Sequence, residues 1–296
     1  MTVRTRLFSP GRILAVAFLA VVMVVTLFPF YWILRTALSN NYALATDPAS
    51  LLPVDFTIGP FKRVLGLSTI AEAQAEGGSG ASLDVLLYLR NSVIYAVSLT
   101  VVVVACSAAG AYAFARLHWR GRNIVFSVLL CALMIPTVFT VLPNFVLIKD
   151  LGLTNSFAGL VAPNALFFAF ALFFLRQFML GLSTEIEEAA LIDGAGHFRI
   201  LFRIILPMSS GPITTLSLLM FIVAWNDYFW PLLVTSKADV RPLTLALGVF
   251  KQSSPNTAPD WAGLMAATLI AALPMLALFV IFGRRIVNSI GFTGIK

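Results

Sequence analysis

The sequence predicts an all-α, polytopic integral membrane protein with six transmembrane helices and one structured loop between spans. Three observations predict it. Hydrophobic residues make up 59% of the chain and charged residues 11%, against roughly 25% charge in a soluble domain, and the mean hydropathy is +0.94. Six stretches are free of Asp, Glu, Lys and Arg, each near the length of about 20 apolar residues that crosses a bilayer. Lys and Arg are unequally shared between the two sets of connecting segments.

The predicted spans are Ile13–Leu34, Asn91–Ala115, Asn123–Ile148, Ser156–Leu175, Met208–Asn226 and Ala262–Gly283. Together they read as a single transmembrane domain over residues 1–296. The first apolar run is too long for the core of a cleaved leader, so it reads as a span. Ser107, Ala111 and Ala115 recur every four residues, a spacing that lets helix backbones approach closely in lipid. Pro136 and Pro163 should kink the third and fourth spans. Cys106 and Cys131 fall within spans and read as packing residues.

Orientation follows the basic residues. Arg4, Arg6, Arg12, Arg116, Arg120, Arg122, Arg176, Arg199, Arg203, Arg284, Arg285 and Lys296 share one side. Eight Lys and Arg residues lie on the other, in a greater length of chain. The denser side should be cytoplasmic, with both termini inside. The net charge of +7 is then topology and calls for no nucleic-acid partner. Outside, Gly66–Asp84 is rich in Ala, Ser and Gly, with Gly77-Gly78-Ser79-Gly80 at its tip, and reads as loop.

The loop from Ser183 to Pro207 holds the largest cluster of charge. Thr184 with Glu187 fits a capping box. Glu185, Glu187 and Glu188 suit the positive end of a helix dipole. Gly194 suits the left-handed residue that ends a helix. A second helix should follow, with Phe198, Leu201, Phe202 and Ile205 on one face, and Pro207 should stop it. His118 and His197 stand in inside loops without a catalytic setting.

Glu188-Ala189-Ala190, then Gly194, then Leu206-Pro207, resembles the EAA loop of bacterial ABC importer permeases. The string Glu187 to Ala195 resembles the sugar-importer, maltose-permease-like branch, and Ala111–Leu117 and Leu243–Ala246 look like patterns of the same branch. The likeness covers nearly everything after Asn91. It implies that residues 183–207 are a coupling-helix loop docking into a separate ATPase. Glu188, Ala189, Ala190, Asp193, Gly194 and Pro207 would carry that coupling. It further implies a second permease in a heterodimer, two ATP-binding subunits, an extracytoplasmic solute-binding protein, and a place in the bacterial cytoplasmic membrane. The short tail from Gly291 to Lys296 resembles the family's glycine-bearing end.

At the end of the fifth span stand Asn226 and Asp227. An acid in lipid costs about 2.5–3.5 kcal/mol on insertion scales, so Asp227 should face protein or water. Two readings follow: Asn226 and Asp227 line the substrate pathway, or Asp227 anchors at the interface beside Trp225, Tyr228 and Trp230.

No lysine directly follows a glycine, so the phosphate-binding loop of ATPases is missing. The chain reads as a non-enzymatic transport subunit. It has no catalytic or metal-binding residues and no cofactor of its own, and ATP and Mg belong to the partner. The resemblance to the sugar-importer branch implies an oligosaccharide or disaccharide as cargo. The rivals are an ion-coupled secondary transporter subunit, which would place ionisable residues mid-membrane, and a non-transporting membrane scaffold.

Overall fold

The fold is described from a computed structural model over residues 10–78, 83–165, 168–252 and 259–291, omitting the side chains of Pro10 and residues 284–291. Ser79 and Gly80 of the loop tip, and the tail beyond Gly291, lie outside the described residues. Those described are mostly helical, and one isolated antiparallel bridge, Ser39 with Phe56, stands in for strand structure among them.

In chain order the helices are α1 (Pro10–Ala37), α2 (Asn41–Thr46), α3 (Gly59–Val64), α4 (Ile70–Ala75), α5 (Val85–Ala115), α6 (Arg122–Cys131) and α7 (Thr137–Asp150). There follow α8 (Phe157–Ala165), α9 (Ala169–Leu180), α10 (Glu185–Ile192), α11 (His197–Ile200), α12 (Leu206–Met208) and α13 (Ser210–Trp225). The last are α14 (Phe229–Val234), α15 (Leu243–Gln252) and α16 (Trp261–Gly291). Among the described residues α1, α5 and α16 are long and apolar enough to cross a membrane unbroken.

The remaining predicted spans are bent. The third turns by 102° between residues 134 and 137. Ile135 is extended there, because the ring of Pro136 disfavours the helical region for the residue before it. The fourth bends by 51° between α8 and α9. Pro163 lies inside α8, and Phe168, extended, opens the next segment. The fifth span is α13, only 16 residues long. The chain turns by 79° just before it, at Ser209.

The chain divides into two compact units. In the first, residues 1–85 and 247–272, a buried arginine organises the polar part. Arg63 donates Nε to Asp260 Oδ2 (3.2 Å) and Nη2 to Asp260 Oδ1 (3.1 Å), and Nη1 to Glu76 (2.6 Å). This bidentate geometry is the strong form of ion pairing. It ties the segment after α4 to the start of α16. The expectation of plain loop over Gly66–Asp84 gives way here. Thr69 and Glu72 form a complete capping box on α4, and the Thr69 amide and hydroxyl hold the Glu72 carboxyl below its usual range.

The second unit holds residues 86–246 and 273–296. Its core is one face of α5 (Tyr95, Leu99, Val103, Ala111) against α8, α9 and α13. Ser107, Ala111 and Ala115 are all buried, so the small-residue stripe is a packing face. An added Cβ on Gly110 would come within 2.9 Å of the Leu172 side chain. Polar groups fix the connecting segment before α15. Asn91 Nδ2 donates to the carbonyls of Ala238 and Arg241 at 3.0 Å each, and Ser92 Oγ accepts from Leu243 N at 2.7 Å.

Candidate functional site

The charged loop folds as two short helices meeting at a glycine. α10 ends in a paired turn: Gly194 N donates to Leu191 O (3.0 Å) and Ala195 N to Ala190 O (2.9 Å). That is the Schellman pattern, and its left-handed residue is Gly194, at φ +78°. Nothing lies within 4 Å of a Cβ built there. The glycine is required by its backbone conformation, not by crowding.

The start of α10 departs from the sequence expectation. Thr184 has helical dihedrals and its side chain makes no cap bond. Ser183 Oγ accepts from Glu185 N instead, at 3.3 Å. Glu187 does not reach back, because its carboxylate is engaged elsewhere: Glu187 Oε1 lies 3.0 Å from Arg116 Nε, just beyond α5. The two atoms are close but not aligned as a hydrogen bond, and both are otherwise unpartnered. Burial raises the Glu187 carboxyl above its usual range, outweighing the opposing pull of Arg116 and His197. Arg116 Nη2 also donates to the carbonyls of Met179 (2.5 Å) and Leu182 (2.6 Å) at the end of α9. One guanidinium thus gathers the ends of α5 and α9 and the first turn of α10. His197 Nδ1 lies 3.4 Å from Tyr112 Oη, so that histidine is not isolated.

The second helix also differs from its expected register. Leu201 and Ile205 are buried while Phe198 and Phe202 are exposed, so the four do not share a face. The buried face is centred on Leu201 and Ile205, and a π-helical turn spans Leu201–Ile205. Leu206 N donates to Leu201 O, five residues back, the bond that defines such a turn. It also precedes Pro207, whose ring in a regular α-helix would press on the carbonyl four residues earlier. Pro207 therefore sits within the helical run and does not end it. Leu206 stays helical, and the break comes at Ser209.

Of the residues singled out in sequence, Glu188, Ala189, Asp193, Gly194 and Pro207 are exposed and Ala190 is half-buried. Beside them the loop exposes Ile192 (87%) and Phe198 (82%), with Leu191, Ile186 and Phe202 less open. The loop therefore presents apolar side chains between acidic and basic ones. Sequence reasoning missed the anchor, Arg116, and the exposure of Ile192.

Asn226 and Asp227 lie together at the break between α13 and α14, with different settings. Asn226 is exposed, and its Nδ2 donates back to Ile222 O at 2.9 Å. Asp227 is half-buried. Its Oδ2 accepts from Tyr95 Oη (2.8 Å) and its Oδ1 from Trp230 N (3.3 Å), while its carbonyl accepts from Thr244 Oγ1 (2.8 Å).

Residues 102–291 match the family of binding-protein-dependent transport system inner membrane components. The chain is 30% identical, over 90% of its length and 92% of the relative's, to the sn-glycerol-3-phosphate transport system permease protein UgpE of Brucella abortus (strain 2308). It is 29% identical, over 90% and 83% respectively, to the diacetylchitobiose uptake system permease protein NgcG of Streptomyces coelicolor. Its fold is similar to a chain of a bacterial ABC transporter involved in the import of the acidic polysaccharide alginate. The TM-score is 0.78 at 22% identity, covering 95% of this chain and 99% of that one.

Proposed function

The chain belongs to the family of binding-protein-dependent transport system inner membrane components, and we propose that it is one of two permeases in an ATP-driven importer of oligosaccharides or disaccharides. It is a multi-pass membrane permease. In this reading the second permease completes the pathway, two ATP-binding subunits supply the energy, and an extracytoplasmic binding protein delivers the sugar. Both termini and the loop at 183–207 face the cytoplasm.

The observation that carries the reading is the loop itself. Two short helices hinge at Gly194, Arg116 ties the first of them to α5 and α9, and the outer surface offers Ile192 and Phe198. A partner gripping that surface could transmit a displacement straight into membrane helices. Transport then follows from a bias between two conformations, supplied by the nucleotide state of the partner. Glu188, Ala189, Ala190, Asp193 and Pro207 are assigned to the same coupling element, and Asn226 and Asp227 to the border of the solute path. The cargo class is supported by the relative whose name gives diacetylchitobiose, and its competitor is the glycerol 3-phosphate named for the other relative.

The test is uptake. This chain is reconstituted in liposomes with its second permease, ATPase and binding protein and offered radiolabelled disaccharide, oligosaccharide and glycerol 3-phosphate. ATP-dependent accumulation of the saccharides supports the cargo class. Accumulation of the phosphoester alone replaces it.

A further inference from the structure

We propose that the segment Asp47–Val54 is a lipid anchor, with Leu51 and Leu52 seated in the bilayer interface beside the C-terminal end of α1. The segment is held against that helix at three points. Tyr31 Oη donates to the carbonyl of Leu51. Arg35 Nε donates to Leu52 O at 3.2 Å and its Nη2 to Asp47 O at 3.3 Å. Behind it, Ser39 bridges to Phe56 and Asn40 N donates to Val54 O at 3.1 Å, which fixes the register of the return.

Depth follows from these bonds. Tyr31 lies inside the apolar run of α1, and helical side chains lean toward the helix N-terminus. Its hydroxyl, and the Leu51 carbonyl bound to it, therefore sit toward the membrane relative to Arg35. The occupant follows from continuity. Leu51 (64% exposed) and Leu52 (72% exposed) extend the surface of α1, whose apolar side chains are exposed through residues 13–30. From Pro48 to Val54 there is no charged residue.

The arrangement also resolves an electrostatic problem. Arg35, at the end of a spanning helix, is 2% exposed, with its guanidinium 5.0 Å from the Trp32 ring. Charged groups near lipid pair with backbone carbonyls, and the segment supplies those carbonyls while turning its leucines outward. Tyr31 and Trp32 are interfacial residues by type. The proposal rests on the membrane placement of α1 and is independent of the cargo and of the coupling loop.

The test uses the assembled transporter in liposomes, with Cys106 and Cys131 replaced by Ser. A nitroxide is placed at Leu51→Cys, Leu52→Cys and, as a water-exposed reference, Gln74→Cys. Collision with oxygen should exceed collision with a nickel chelate several-fold more at 51 and 52 than at 74. Nickel access equal to that at 74 would overturn the proposal in favour of a water-facing turn. Exclusion of both reagents would overturn it in favour of a protein partner covering the leucines. Where a labelled variant fails to assemble, Leu51→Trp and Leu52→Trp are read by fluorescence quenching with brominated lipid, and absence of quenching again overturns it.

Discussion

Arg116 reaches from the end of α5 to the first turn of α10, placing its Nε 3.0 Å from Glu187 Oε1. The same guanidinium holds two carbonyls at the end of α9. Any displacement of α10 is therefore felt at the ends of two membrane helices through a single side chain.

That contact carries a pH signature. The Glu187 carboxyl is raised by burial, so the folded protein favours its protonated form. Its contribution to stability is present below the ordinary carboxylate range and is lost as pH rises through the raised value. Glu187→Gln keeps the shape and removes the titration. The wild type should lose thermal stability relative to Glu187→Gln as pH rises from about 4 toward neutrality. A difference in melting temperature that stays constant over that range would refute the burial account.

Gly194 makes a second prediction. With open space around it and φ at +78°, the penalty for a side chain is conformational, about 1–2 kcal/mol per residue. Gly194→Val should impair coupling more than Gly194→Ala, and Gly194→Asn, which tolerates this region, should impair it least. Solute-stimulated hydrolysis by the assembled transporter gives the ranking. Equal loss in all three would point to lost space instead.

Asp227 and Tyr95 separate two roles. Tyr95→Phe removes one hydrogen bond, worth about 1 kcal/mol, and should lower the melting temperature with modest change in transport. Asp227→Asn should change transport rate or solute preference at unchanged protein level. If Asp227→Asn behaves like Tyr95→Phe and leaves transport untouched, the acid serves as an anchor only.

Arg63 tests the first unit. Its guanidinium is buried against Asp260 and Glu76, and removing one partner of a buried pair costs on the order of 3–5 kcal/mol. Arg63→Ala should lower expression and the melting temperature, whereas Lys62→Ala, next door, should not. Indifference of both would show the cluster to be dispensable.

The sequence carried the class of the protein through composition, and the turn between α10 and α11 through Gly194, because both signals are local. It also marked the interruption at Pro136, though not its angle of 102°, which depends on packing of the two halves. The Arg116–Glu187 contact spans 71 positions and the Arg63–Asp260 contact 197, and no local pattern encodes either partner. The capping box at Thr184 failed because Glu187 had a tertiary partner. The face of the second loop helix failed because burial there centres on Leu201 and Ile205 and leaves Phe198 and Phe202 exposed, an offset set by tertiary packing that the apolar pattern alone does not carry.

The central claim is that the loop at 183–207 docks the ATPase. Ile192 is 87% exposed, so Ile192→Asp opens no cavity in the core and places a charge on the proposed docking face. The measurement is co-purification of the ATPase with wild-type and Ile192→Asp permease at equal membrane content. Retention by the wild type and loss by the variant, by at least tenfold in affinity or about 1.4 kcal/mol, is the predicted result. Equal retention by both, together with wild-type uptake, would contradict it.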